Sequence, residues 1–235
     1  MISLIIPMFN EESILPDTLS AVCSYIDGES EKYEVVFVDD GSCDNSAEIV
    51  RACGHKDVKV ISYKPNRGKG GAVRAGMLSA NGDYAIFTDC DLAYGLEAVG
   101  RFIPRLDNSG ADIIIGSRKL HDEGYASYPL LRRIASKGFV WLVRALCGFE
   151  LSDSQTGIKG FKTTAAREIF SRCETDGWAF DIEALMIAQK LGFNVIEESV
   201  TIINHRESKV NVFRDSLKML FEIFRIKRSV KKKLQ

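Results

Sequence analysis

Two aspartates separated by one residue, Asp89 and Asp91, are the side chains of this chain best suited to chemistry. They follow a short apolar run, residues 85–88, which is typical of a buried strand. At the end of such a strand both carboxylates could face one hard cation. Mg²⁺ or Mn²⁺ prefers few carboxylates together with water and the oxygens of a diphosphate. A plain turn explains the same pair, so the surrounding sequence has to decide.

Short apolar segments alternate with helical patterns around this pair. Strands are predicted at 2–6, where Pro7 is expected to end the strand, and at 33–38, 58–62, 84–88, 112–115, 158–161 and 195–203. Helices are predicted at 13–26, 45–53, 72–79, 96–106, 128–146 and 212–230. The alternation predicts an α/β fold with a doubly wound, mostly parallel sheet.

Polar residues follow each of the first four predicted strands. They are Asn10/Glu11, Asp39/Asp40, Asn66/Lys69 and Asp89/Asp91. Ligands bind such sheets beyond the carboxyl ends of the strands. Four clusters at four consecutive strand ends therefore indicate one binding site.

The glycine-rich segment 68–71 does not match the common nucleotide fingerprints. A dinucleotide-binding pattern starting at Gly68 needs glycine at position 73, where Val73 stands, and no P-loop pattern occurs in the chain. We expect these glycines to let the backbone approach a ligand, with Lys69 supplying positive charge.

Charge is distributed unevenly along the 235 residues, whose net charge is -1. Residues 214–235 hold eight Lys/Arg against two acids, net +6, which leaves -7 for the rest. An amphipathic pattern at 212–230 followed by three lysines predicts contact with an anionic membrane surface, and a helix packed on the sheet is the alternative. The predicted helix at 128–146 is both apolar and basic. It too is compatible with contact with a membrane surface or with packing against the rest of the protein. No nucleic-acid-binding motif accompanies the charge.

Other features predict a cytoplasmic protein that is peripheral to a membrane. The chain has no apolar run of about 20 residues, which a membrane-spanning helix needs, and it shows no secretory leader. Its six cysteines contain no Cys-x-x-Cys pair, which favours reduced thiols over a disulfide framework.

Taken together, these segments resemble glycosyltransferase family two, with its GT-A nucleotide-sugar-binding fold. The matching stretches are 6–11, 38–42, 66–70, 89–91 and 116–118, in family order. Later stretches resemble the branch that glycosylates dolichyl or other polyprenyl phosphates: Arg132-x-x-x-Ser136, Asp153-x-x-x-Gly157, Trp178-x-Phe180-Asp181-x-Glu183 and Ser208-Lys209.

The resemblance implies roles for individual residues. The donor, a UDP- or GDP-linked sugar, would be bound by Pro7, Phe9, Glu11, Asp39, Lys69, Asp89 and Arg118. Mg²⁺ or Mn²⁺ would be held by Asp89 and Asp91. The acceptor phosphate would be bound by Arg118, Arg132, Arg206, Ser208 and Lys209. A hydroxyl acceptor would instead require a general base, for which the candidates are Asp153, Asp181 and Glu183.

The implied activity is inverting, metal-dependent transfer of a hexose, of glucose or mannose type, to a polyprenyl phosphate. Residues 1–209 would form the GT-A domain, with a donor half at 1–118 and an acceptor half at 119–209, and 210–235 the basic helix. Two departures from the family pattern are Phe9, where tyrosine is frequent, and Ala93, where mannosyltransferases of this branch commonly have glutamine. The alternatives are a soluble transferase acting on a saccharide or protein hydroxyl, and a non-catalytic nucleotide-sugar-binding module. Oligomeric state is not indicated by the sequence.

Overall fold

The computed structural model describes residues 1–118, 146–149, 151–204 and 212–234, with side chains of the last range described from 221 onward. The strands are β1 Ile2–Met8, β2 Tyr33–Asp39, β3 Val58–Ser62, β4 Tyr84–Phe87, β5 Ile113–Ser117, β6 Lys159–Lys162 and β7 Val195–Ser199. The helices are α1 Leu15–Gly28, α2 Ser46–Ala52, α3 Lys69–Ser79, α4 Glu97–Ser109, α5 Thr163–Phe170, α6 Phe180–Lys190 and α7 Val212–Lys233. The predicted helix at 128–146 lies almost entirely outside the described residues.

Within the described ranges, seven strands form one sheet in the order β3-β2-β1-β4-β6-β5-β7. All neighbouring pairs are parallel except those of β6, which runs antiparallel to both β4 and β5. The predicted mostly parallel α/β sheet is therefore confirmed. The strand order reverses at β1, between β2 and β4, and a crevice opens at the carboxyl ends of strands at such a point.

Pro7 does not end the first strand, as the sequence predicted, but lies within it opposite Val38. β4 pairs with β1 only as far as Ile5, whose carbonyl accepts the last bond on that side from Thr88 N. Residues two apart in a strand point the same way, so the missing N–H of Pro7 faces the side where β4 has already ended. Proline is tolerated at such an unpaired position.

The sheet buries an apolar layer on each face. One layer is shared with α3, α5, α6 and α7, and includes Ile5, Met77, Ile169, Ile182 and Ile223. The other is shared with α1, α2 and α4, and includes Leu4, Leu15, Val50 and Phe102. Successive residues of β1 thus enter opposite layers, which explains why its sequence is continuously apolar. Helices on both faces confirm the doubly wound prediction.

The basic helix α7 packs against the core by one side, through Ile223, Ile226 and Val230. Phe221 and Phe224 remain 77% and 54% exposed. The packing alternative thus holds for one face of the helix, and the opposite face is available to a partner. None of the described helices is both long enough and apolar enough to cross a bilayer.

Glu34 on β2 connects the neighbouring strands β1 and β3 and the segment before β4. Its carboxylate accepts hydrogen bonds from Ser3 Oγ at 2.5 Å, from Lys59 Nζ at 2.9 Å and from Asn81 N at 2.6 Å. Burial alone would raise its pKa, but the bonds outweigh burial and hold the pKa of Glu34 at about 2, below its ordinary 4.5. The ionised form is therefore stabilised by folding.

We expect Glu34→Gln to lower the free energy of unfolding at pH 7 by about 1–2 kcal/mol. A lowered pKa means that the wild-type advantage is complete above pH 4.5 and is lost as pH falls toward 2. Urea unfolding at pH 7, 5 and 3.5 measures the difference in free energy of unfolding between wild type and Glu34→Gln, with a substitution of the exposed neighbour, Glu31→Gln, as control. A difference that does not decrease with falling pH would contradict a stabilising role of ionised Glu34.

Candidate functional site

Asp89 lies just beyond β4 and is paired with a lysine. Lys69 opens α3, three residues earlier than the sequence predicted for that helix, and its Nζ donates to Asp89 Oδ1. Burial alone would lower the pKa of Lys69, but the charge and hydrogen bond of Asp89 raise it overall. An ammonium group is thus seated on the carboxylate for which the sequence predicted a metal ion.

Asp91 lies on the turn after Asp89. Its Oδ1 accepts a hydrogen bond from Ala93 N at 3.1 Å, and its carbonyl accepts one from Asn204 Nδ2 at 2.8 Å. In the part of the chain that the structure describes, no three His, Cys, Asp or Glu side chains gather as a metal cluster. Within the described ranges, a cation at this place would have the two carboxylates of Asp89 and Asp91, with water and the donor diphosphate as further ligands.

Gly157 is packed closely against the carboxylate of Asp89. A Cβ atom at this glycine would lie 1.9 Å from Asp89 Oδ2, so no larger residue fits while the carboxylate keeps its place. Tyr94 is buried beside the same groups, and burial raises the pKa of its phenol to about 12. The phenol is therefore protonated at neutral pH.

The loop that follows β1 is bonded to the loop that follows β2. Asn10 N donates to Ser42 Oγ at 3.0 Å, and Glu11 N donates to Ser46 Oγ at 2.9 Å. Asp39 Oδ1 accepts from Ser42 N at 2.9 Å. The residues predicted to contact the nucleotide therefore lie at the carboxyl ends of β1 and β2 and on the interlocked loops that follow them, with Phe9 42% exposed.

Asp40 orders the segment that leads to Lys69. Its two carboxylate oxygens accept from Arg67 N at 2.8 Å and from Gly68 N at 2.7 Å, and its carbonyl accepts from Asn66 Nδ2 at 3.0 Å. These three bonds fix the backbone immediately before α3. The clusters after β2, β3 and β4 are thus connected, as the sequence predicted.

The glycines of this segment lie against another segment of the protein backbone. A Cβ at Gly68 would lie 2.6 Å from Asp176 O, and one at Gly70 would lie 2.5 Å from Thr175 O. Gly70 N also donates to Asp176 O at 2.8 Å. These glycines thus allow the backbone at 175–176, which leads into α6, to come close, and the approach to a ligand stays a prediction.

Arg118 follows β5 and is held by Asp153. Its Nε lies 2.7 Å from Asp153 Oδ2, and a terminal nitrogen lies 2.9 Å from Oδ1. Glu197 on β7 accepts from the backbone N–H of Ser152 at 2.9 Å and of Asp153 at 3.2 Å. A bidentate pair of this kind fixes the plane of the guanidinium, so Asp153 sets the direction in which Arg118 points.

Asp181 lies in the first turn of α6, where the helix dipole alone would favour an acid. The structure adds a second reason, since Lys159 Nζ lies 2.7 Å from Asp181 Oδ1. Glu183, the next acid, accepts from the backbone N–H of Glu174 at 2.9 Å and of Thr175 at 2.6 Å. Glu183 thus fixes the segment before α6.

Sequence reasoning missed Lys159, although a signal was present. Residues two apart in a strand share a face, so Lys159 lies on the same side of β6 as Phe161, which is an apolar core residue. Lys159 is 1% exposed. A lysine that alternates with a core phenylalanine indicates a buried charge.

The structure brings several of the predicted residues into one electrostatic cluster. The charges of Lys69 and Asp89 both influence the pKa of Asp181, and those of Arg118, Asp89 and Asp153 influence the pKa of Tyr94. The predicted phosphate-binding residues Arg132, Arg206, Ser208 and Lys209 lie outside the described residues, so their role stays a prediction.

The model of one protein family, described as glycosyl transferase family 2, matches residues 3–170, from β1 through α5. The chain belongs to this family. It is a glycosyltransferase, and the resemblance noted in the sequence is confirmed.

Curated relatives of this family-2 chain cover nearly its whole length. A protein of Dictyostelium discoideum named "Dolichyl-phosphate beta-glucosyltransferase" is 33% identical over 96% of this chain and 73% of its own. A human protein of the same name is 34% identical over 93% of this chain and 72% of its own.

Solved structures confirm the fold class. Glucosyl-3-phosphoglycerate synthase of Mycobacterium tuberculosis, in complex with Mn²⁺, UDP and glucosyl-3-phosphoglycerate, superposes with a TM-score of 0.68 at 20% identity. The match covers 98% of this chain and 79% of the other. The same synthase with Mn²⁺ and UDP-glucose gives a TM-score of 0.67 at 18% identity, over 95% and 78% of the two chains. The family-2 chain therefore has the GT-A fold.

Proposed function

We propose that this family-2 glycosyltransferase moves glucose from UDP-glucose to a polyprenyl phosphate, with inversion at the anomeric carbon. The observation that carries the proposal is the agreement of the two named relatives over more than nine-tenths of the chain, both called dolichyl-phosphate beta-glucosyltransferase. The site supports it, because two cations lie at the carboxyl ends of the strands: Lys69 beside Asp89, just beyond β4, and Arg118 just beyond β5. Ala93, at the position where mannosyltransferases commonly have glutamine, agrees with glucose.

The donor occupies the half of the site built on β1 to β4. Phe9 is exposed enough to stack on the base, and Pro7 in β1, Asp39 at the end of β2 and Glu11 in the loop after β1 lie beside it. Asp89 and Asp91 would hold Mg²⁺ or Mn²⁺, which would supply positive charge to the departing UDP. The Lys69 ammonium on Asp89 supports a cation at that carboxylate, and on donor binding Lys69 would turn to the phosphates.

The acceptor brings its own nucleophile. A phosphate monoester has a second pKa near 6, so at neutral pH it is already largely a dianion. It needs steering rather than deprotonation, and Arg118, fixed in plane by Asp153, offers charge-assisted hydrogen bonds to it. Asp153 and Asp181 are each paired with a cation, the half-buried Arg118 and the buried Lys159. The bidentate pair with Arg118 leaves Asp153 less available as a general base for a hydroxyl acceptor.

The exposed side of α7 suits an anionic membrane surface at the cytoplasmic face. At 3.6 residues per turn, the residues opposite to the packed face are Phe221, Phe224, Arg225, Arg228, Lys231 and Lys232. Two aromatic rings beside four cations are the composition of an interfacial helix. This face would bring the chain to the lipid that carries the acceptor phosphate.

We expect the double variant Arg228→Gln/Lys232→Gln to bind vesicles containing anionic lipid roughly thirtyfold more weakly, at about 1 kcal/mol per cation. Sedimentation with vesicles of mixed neutral and anionic lipid, at two salt concentrations, measures the change. Lys190→Gln, on the exposed end of α6, is the matched control. Equal binding by the double variant and wild type would remove α7 from the membrane contact.

A matrix of donors and acceptors tests the function itself. Purified protein with Mg²⁺ or Mn²⁺ is given UDP- and GDP-sugars, with a short polyprenyl phosphate present or absent, and nucleotide release is followed. Release that requires both UDP-glucose and the lipid phosphate is the expected result. Release that ignores the lipid and responds to a saccharide would overturn the proposed acceptor.

A further inference from the structure

Lys159 is a buried amino group that packing alone does not explain; burial lowers its pKa, and the charge of Asp181 opposes that shift. Its side chain is 1% exposed, and its ammonium lies 5.4 Å from the centroid of the Phe87 ring. Taking an ammonium group out of water is costly, and an apolar side chain of similar length would fill the same space without that cost. The charge at this position therefore calls for a reason beyond the core.

The ammonium joins two segments that border the site. Nζ donates to the carbonyl of Thr156 at 2.6 Å and lies 2.7 Å from Asp181 Oδ1. Thr156 ends the turn that carries Asp153 and precedes Gly157, the residue that presses on Asp89. One buried group thus connects the turn before β6 with the first turn of α6.

Asp181 depends on Lys159 for its charge. The contact between them is an ion pair without the angles of a hydrogen bond, and Oδ1 has no aligned donor among the described residues. Burial raises the pKa of Asp181, and the adjacent ammonium opposes this. Without Lys159 the carboxylate would be buried and unpaired, with Lys69 as its nearest remaining cation among the groups that influence it.

We propose that Lys159 is a positioning residue of the transfer reaction, which acts through Asp181 and the Thr156 carbonyl and does not touch substrate. By its hydrogen bond to Thr156 it fixes the turn at 153–157, whose residues contact Asp89 and Arg118. By its ion pair with Asp181 it neutralises that carboxylate, so that Lys69 stays paired with Asp89 and near the donor. The inference rests on the proposed function for the identity of the acceptor. The contacts of Lys159 with Thr156 and Asp181 do not depend on that identity.

A mutant cycle with Lys159→Met and Asp181→Asn tests this. Turnover is expressed per molecule that binds UDP, so that a loss of folded protein does not count as a loss of activity. We expect Lys159→Met to lower kcat roughly thirtyfold while KM for the donor changes less than about threefold. The double variant should be no slower than the slower single variant, because residues acting as one unit are non-additive. Lys162→Met, on the same strand but partly exposed, is the matched control and should behave as wild type.

Two outcomes would overturn the proposal. Undiminished kcat per UDP-binding molecule in Lys159→Met would show that the lysine is only structural. Effects that multiply in the double variant would show that Lys159 does not act through Asp181. The cycle is run with whichever acceptor the wild type uses. If that acceptor is a saccharide, the proposed function is wrong, but the effect of Lys159 on kcat can still be measured.

Discussion

Asp89→Asn is expected to lower turnover roughly a thousandfold or more, since an ion at a departing diphosphate supplies several kcal/mol of transition-state stabilisation. The substitution keeps the size of the side chain but removes the charge that the cation and Lys69 share. Nucleotide release under saturating donor and acceptor measures turnover. Titration with Mn²⁺ in the presence of UDP separately measures the affinity for the ion, which should fall as well.

Asp27→Asn is the matched control, because Asp27 is an exposed aspartate in the last turn of α1, near the amino ends of the strands. Its activity and Mn²⁺ titration should match those of wild type. If Asp89→Asn kept wild-type turnover, or lost turnover with an unchanged Mn²⁺ titration, Asp89 would not be a ligand of the ion.

Gly157→Ala is expected to lower kcat about a hundredfold, the order of effect that a displacement of about 1 Å has on a catalytic group. The new methyl group would stand 1.9 Å from Asp89 Oδ2. The atom it meets is the end of a flexible side chain, so the carboxylate shifts and the backbone keeps its course. Activity should therefore fall much more than stability, and thermal unfolding measured beside kcat separates the two.

Gly28→Ala provides the comparison, since a Cβ at Gly28 meets nothing within 4 Å. It should leave both kcat and the melting temperature close to wild type. A Gly157→Ala protein with full activity would show that Asp89 tolerates displacement. One that fails to fold would show that the neighbouring backbone, rather than the carboxylate, gives way.

The sequence predicted those parts of the fold that depend on local pattern. The apolar runs of β1 to β5 were enough to predict a mostly parallel sheet, and the polar residues after them predict one cluster around Asp89, because parallel strands bring their carboxyl ends to one edge. The extent of β1 was not predictable, since Pro7 is tolerated only because β4 stops short of it. The antiparallel direction of β6 was not predictable either, because strand direction depends on the path of the intervening chain.

The electrostatic part of the site was predicted less completely. Asp153 and Asp181 were recognised as acids of the acceptor half, but their partners were not, because ion pairs between distant segments leave no local pattern. Arg118 and Asp153 are 35 positions apart, and Lys159 and Asp181 are on different elements. The contact of Gly68 and Gly70 with the backbone at 175–176 was not predictable for the same reason, since a glycine indicates close approach without saying what approaches.

The contact between Gly68–Gly70 and the backbone at 175–176 limits how these two segments can change independently. The loop before α3 has no side chain there, and the segment before α6 fills the space within 2.6 Å of where one would begin. A chimera that exchanges residues 175–183 between relatives while leaving 68–71 in place would have to keep the same backbone path. Sequence changes in either segment are therefore constrained by the other, so that the two would be exchanged together as one unit.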